Sequence, residues 1–234
     1  MILSADSVGA ETPRIETKFI VSELERDTVE TWLHLNGARF SQAYQPRLVN
    51  SVYFDTFDFF AFRENIYGAS HRAKIRYRWY GPESIPQDGH LEVKLKRNVY
   101  GHKHRERIDG MSLSPTFTWP DFHTQLRDRA GSFGRFTLDH HPQPAVQNRY
   151  RRSYLVSFDH KVRVTVDTDL QFFDQRYRSA PNRSHKANFP AAMVVEFKFD
   201  PGDRDTASDY LQTFPVRVSR SSKYVEGMKS VHGH

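Results

Sequence analysis

HRAKIRYRWYG at residues 71–81 and HLEVKLKR at residues 90–97 decide how this chain is read. Successive side chains of a strand point to opposite faces. Lys74, Arg76 and Arg78 therefore share one face of the first segment, and Ile75, Tyr77 and Trp79 the other. In the second, Glu92, Lys94 and Lys96 oppose Leu91, Val93 and Leu95, and the Gly, Pro and Asp of residues 81–89 make the connection. Charge alternating with apolar residues is ordinary in a half-exposed sheet. Here it recurs: Arg14, Glu16 and Lys18 alternate with Ile15 and Phe19, Arg163 and Asp167 with Val162, Val164 and Val166, and Glu196 and Lys198 with Val195, Phe197 and Phe199. If these charged faces converge, they form a basic concave surface holding a few acids, suited to a polyanion and a divalent metal.

Working outward, residues 1–12 read as a disordered leader. A strand from Arg14 runs into Ser22, which with Glu25 makes a capping box for a helix reaching about Asn36, stopped by Gly37. Leu24, Val29, Trp32 and Leu33 are expected on its sheet-facing side. Residues 45–55 read as a strand, with Asp55 or Asp58 capping a short aromatic helix over 57–65. A third basic strand, 101–108, carries Lys103, Arg105 and Arg107 on one face. Helix is expected over 120–130, loop over 131–145, strands over 145–159 and 161–170, an exposed loop over 174–190, and a helix over about 203–214. Many evenly spaced strands with few helices predict an antiparallel sheet that is closed or strongly curved, in one domain over 13–230.

Composition narrows the partners. A net charge of +6 favours an anionic ligand, and the absence of cysteine removes disulfides and thiolate metal sites. The opening residues carry no long apolar run, so the expectation is a cytoplasmic protein without signal peptide or membrane span. Nucleic acid is not expected, because the aromatics of 75–79 fall on the parity opposite to the cations. The twelve histidines are scattered, and no phosphate loop of the Walker type is present. Inward cations are costly unless water or anions compensate them. Phosphate oligomers answer that need, since arginine forks grip phosphate oxygens bidentately and carboxylates can hold Mg²⁺ or Mn²⁺ against them.

The motif order resembles the VTC domain, the polyphosphate polymerase module of the vacuolar transporter chaperone family, within the triphosphate tunnel metalloenzyme (CYTH-like) superfamily. The pieces are RIETKF (14–19), NSVYFDT (50–56), KIRYRWYG (74–81), LEVKLKR (91–97), YRRSY (150–154), VRVTVDTDL (162–170), VVEFKF (194–199) and SSKYVEG (221–227). The resemblance implies a mostly β, α+β fold: an antiparallel eight-stranded β-barrel tunnel with flanking helices. It also implies that Lys18, Arg76, Arg78, Lys94, Arg152, Arg163, Lys198 and Lys223 are phosphate-binding cations. Tyr150 and Ser222 match the family's polar phosphate contacts and Arg220 a basic position. Lys103 or Arg105 would add a cation. Glu196 matches the metal ligand, with Glu16 and Glu92 beside it.

Arg14 stands where the wider superfamily has its first glutamate, which weakens the case for a two-metal hydrolase. The function so implied is transfer of the ATP γ-phosphate to a polyphosphate chain with Mn²⁺ or Mg²⁺. The alternatives are a triphosphatase acting on tripolyphosphate or a nucleoside triphosphate, and a non-catalytic polyphosphate-binding module.

Overall fold

The alternation that organises the sequence becomes one curled antiparallel sheet in the computed structural model, which describes residues 14–98, 100–219 and 221–232, the side chains of 191 and 192 aside. Its strands are β1 (Ile15–Ser22), β2 (Ser41–Asp55), β3 (His71–Tyr80), β4 (Gly89–Arg97), β5 (Tyr100–Ile108), β6 (Gln143–Val156), β7 (Val162–Asp174), the two-residue β8 (Lys186–Ala187) and β9 (Ala191–Phe199). Eight run in the order β1-β9-β7-β6-β2-β3-β4-β5, and β8 pairs with β7 off that path. The predicted eight-stranded antiparallel architecture is present as a half-barrel. Among the described residues, β1 and β5 end the sheet and no ladder joins them.

Among the described residues six α-helices flank the sheet: α1 (Arg26–Leu35), α2 (Phe60–Tyr67), α3 (Trp119–Arg129), α4 (Ser132–His140), α5 (Arg204–Leu211) and α6 (Lys223–His232). Most of the core lies on the outer, convex face. Ile75, Tyr77, Trp79, Leu91 and Val93 pack with Trp119, Phe122 and Leu126 of α3 and Leu138 of α4. Val29 and Leu33 of α1 and Ala207 of α5 cover Val164, Val195 and Phe197. A third, smaller cluster lies on the concave face, where Tyr224 and Met228 of α6 pack with Tyr53, Val146 and Phe172. Each large apolar side chain so buried contributes about 1.5–3 kcal/mol. The apolar parity thus supplies most of the core, and the charged parity is left to the concave side, where α6 covers its apolar end.

A buried carboxylate and a glycine hold the helices in register with the sheet. The Asp55 carboxylate accepts from Ala61 N at 2.9 Å and Phe62 N at 3.0 Å, capping α2, and also accepts from the Tyr224 hydroxyl of α6. Gly227 lets α6 lie close on the sheet, since a Cβ there would stand 2.6 Å from the Phe172 ring.

Several expectations need correction. The predicted capping box is formed, Ser22 N donating to Glu25 at 3.0 Å, but it opens a 3-10 turn before α1, and Leu24 is 95% exposed. Gly37 follows the C-cap, yet the left-handed backbone falls on Arg39. Residues 132–140 are helical where loop is expected. There Gly131 N donates to Glu106 Oε1 at 2.5 Å, and Gly134 is small because Leu91 and Glu106 occupy the space of a Cβ. α6 is a further helix that the strand-centred reading did not anticipate. The expected leader and Arg220 lie outside the described residues.

Candidate active site

Neighbouring strands put their charged residues in rows across the concave face. One row is Lys74, Lys94 and Lys103, directly opposite one another on β3, β4 and β5. The next is Arg76, Glu92 and Arg105. From the other end of the sheet come Glu16 opposite Lys198 and Lys18 opposite Glu196. Apart from Arg105, these groups, with Arg78, Arg152, Tyr150, Tyr53, Ser221, Ser222 and Lys223, surround a cavity of about 280 Å³ lined, among the described residues, by nine cationic side chains and three carboxylates.

The carboxylates are spoken for. Glu92, 5% exposed, accepts from Arg76 Nε at 2.8 Å and Nη2 at 2.5 Å, with Arg105 at 3.5 Å and Arg78 at 3.8 Å from its other oxygen. Burial would raise its pKa, but Arg76 and Arg78 outweigh that and bring it down to about 2. Lys18 Nζ bridges Glu16 at 2.8 Å and Glu196 at 2.5 Å, and Lys198 Nζ approaches the same pair at 3.6 and 3.7 Å. Both carboxyls lie below their ordinary range: burial opposes this, and Lys18 and Lys198 overcome it. Behind the lining, Asp167 receives Arg152 Nε at 2.6 Å and Nη2 at 2.7 Å, and Lys223 Nζ at 2.5 Å.

The lysine row is different. Among the described residues, Lys74, Lys94 and Lys103 form no ion pair, and like charges directly opposite repel. Lys74 Nζ donates to Ser222 Oγ at 2.8 Å. Burial first, then Lys94, Arg72, Lys18 and Arg76, push its pKa from 10.5 down to about 8. Lys94 is lowered as well, by burial above all. Ser221, Ser222 and Lys223 bring the start of α6 to the cavity, and a helix N-terminus favours an anion. Arg78 Nη2 donates to Tyr150 Oη at 3.3 Å, with Lys223 Nζ 4.8 Å from that ring's centre.

Of the sequence-predicted residues, the structure gathers Glu16, Lys18, Arg76, Arg78, Glu92, Lys94, Lys103, Tyr150, Arg152, Glu196, Lys198, Ser222 and Lys223 around the cavity. Arg163 shares the row of Lys198 but stands exposed at the rim, outside the lining. Arg105 reaches the site only through Glu92. Arg14 is exposed and paired with Asp200 at 3.4 Å. Lys74, Tyr53 and Ser221 line the cavity without having been singled out. Lys74 could have been, since it shares the parity of Arg76.

Among the described residues no group of three or more His, Asp or Glu side chains is placed to hold a metal. The donor set still suits Mg²⁺ or Mn²⁺ in one way: Glu16 and Glu196, adjacent on β1 and β9, supply one or two oxygens and bound phosphates supply the rest, as is usual for Mg²⁺. Glu92, enclosed by guanidiniums, does not suit it. No helix of the described residues is long and apolar enough to cross a membrane.

A family model described as the VTC domain matches residues 13–232. No curated protein matches. Among solved structures, one from Vibrio parahaemolyticus, provisionally described as an adenylate cyclase, is 11% identical over 91% of this chain and 96% of its own, with a TM-score of 0.48.

Proposed function

The chain belongs to the VTC domain family, a group linked to polyphosphate and triphosphate chemistry, and on that premise we propose that its cavity transfers the γ-phosphoryl group of ATP to the end of a polyphosphate chain. The observation that carries this is the excess of cations over carboxylates facing one cavity, with the lysine row left for an anion to neutralise.

Phosphoryl transfer passes through a loose transition state, so alignment and charge stabilisation are the protein's task. Arg76, Arg78 and Arg152 align the donor and acceptor phosphates. Lys74, Lys94 and Lys103 neutralise the inorganic chain, and Lys223 with Ser222 receives a phosphate at the start of α6. A divalent ion held by Glu16 or Glu196 together with phosphate oxygens would spread the developing charge. Glu16, Glu92 and Glu196 are all held below the ordinary carboxylate range and are therefore poor bases. That disfavours activation of water and suits an acceptor phosphate, already ionised at neutral pH.

The test is purified protein with ATP and Mn²⁺ or Mg²⁺, following ADP, free phosphate and polymer together. ADP with polymer supports the proposal. Free phosphate without polymer establishes hydrolysis instead. Tight binding of polyphosphate with no turnover, unchanged in Glu196→Ala, establishes a passive module.

A further inference from the structure

The concave face continues past the cavity, and its chemistry changes there. β3 carries Tyr80 two residues beyond Arg78, and β6 carries Tyr154 two residues beyond Arg152, each on the face of the cation before it. At about 3.3 Å per residue, these rings start about 7 Å beyond the lining arginines. β2 runs between the two strands and adds Tyr44 opposite Tyr154 and Arg47 opposite Arg152. The Tyr44 and Tyr154 rings meet edge to face, 5.9 Å apart at 88°. The Arg47 guanidinium lies 5.9 Å from the centre of the Tyr80 ring. The Tyr154 phenol, pushed up by burial, is also influenced by Arg152, Tyr80, Arg47 and Tyr150, so these groups form one cluster. Tyr44 itself is 65% exposed.

We infer that this tyrosine mouth holds the aromatic base of a nucleoside triphosphate whose phosphates run inward past Arg152 and Arg78. The inference rests on the phosphate-binding reading of the cavity and deepens it. An inorganic phosphate chain has no apolar surface and gains nothing from tyrosine rings. A base has two π-faces, which stack on aromatic side chains and attract a guanidinium. Exposed aromatic surface beside a cationic cavity is therefore what can tell a nucleotide from a plain chain. Stacking tolerates any base, so ATP and GTP should bind alike. With the nucleotide at this mouth, the inorganic chain is left the other side of the cavity, where Lys74, Lys94 and Lys103 stand.

The experiment compares affinities of the full chain for ATP and for inorganic tripolyphosphate by calorimetry, in wild type, Tyr44→Ala and Tyr44→Phe, at fixed pH and salt. Tyr44 is mostly in solvent, so its removal leaves the fold intact. Tyr44→Ala should weaken ATP about five- to 100-fold, the range base stacking supplies. Tripolyphosphate should change less than about twofold, and Tyr44→Phe should restore ATP. Tripolyphosphate bound normally, with ATP insensitive to Tyr44→Ala or both ligands weakened equally, overturns the base site and leaves the cavity reading standing. Tripolyphosphate that fails to bind wild type overturns the cavity reading and the base site with it.

Discussion

Replacing Lys74 with methionine should make the free protein more stable while making it a poorer polyanion binder. Burial and the neighbouring Lys94, Arg72, Lys18 and Arg76 bring the Lys74 pKa from 10.5 down to about 8. At about 1.4 kcal/mol per unit, keeping this ammonium charged costs the folded state about 3 kcal/mol at pH 7. Methionine fills similar space without charge but forfeits the hydrogen bond to Ser222 Oγ, worth about 1 kcal/mol. The variant should therefore gain about 2 kcal/mol. Below pH 8 both folded and unfolded chains hold the proton, and the full cost is present. Between pH 8 and 10.5 the folded lysine releases it while the unfolded one keeps it, so wild-type stability rises with pH and the variant's advantage fades. Urea midpoints at pH 7 and pH 10, with unchanged slope, measure this. Tripolyphosphate affinity at pH 7 should fall about tenfold or more with loss of a charged hydrogen bond. A Lys74→Met protein less stable at pH 7, or equally displaced at both pH values, would refute the reasoning.

Arg76→Ala with Arg78→Ala, made together with Glu92→Gln so that no buried carboxylate is stranded, should fold by circular dichroism yet lose about 100-fold or more in ADP release; retained turnover would remove the arginines from the mechanism. Gly227→Ala drives a methyl against Phe172 and Val146 and should destabilise by about 1–3 kcal/mol, read as a lower Tm; an unchanged Tm would mean that α6 yields freely. Glu92 contributes stability that is whole above pH 4.5 and drains away as pH falls toward its folded value of about 2, and Glu196 and Asp167 act in the same direction. Urea midpoints should therefore drop steadily from pH 5 to pH 3, and a flat profile over that interval contradicts the ion-pair account.

The sheet and most of the site were legible because a period of two assigns each strand residue to a face before any fold is known. Ile75, Tyr77 and Trp79 went outward into core and Lys74, Arg76 and Arg78 inward for that reason alone. Parity cannot say how far along a curled strand the cavity extends, which is why Arg163 shares a row with Lys198 and still stands in solvent. It is equally silent on which cations keep a carboxylate. Lys74 and Arg76 look alike in sequence, and only the register sets one opposite Lys94 and the other opposite Glu92. α4 escaped because Gly131 and Gly134 read as loop residues, whereas both are small to let the helix approach Glu106. Leu24 was placed inside on helical spacing that a 3-10 turn does not keep.

The tie between Asp55 and Tyr224 has a bearing on the order of assembly. It docks α6, the last described element, beside the residues that deliver Ser222 and Lys223 to the cavity. A nascent polypeptide still held in the ribosome at that point has all nine described strands in hand but no second cation against Asp167. Its anion site is finished only when α6 leaves the exit channel and settles, so a chain made only that far does not present the complete cradle.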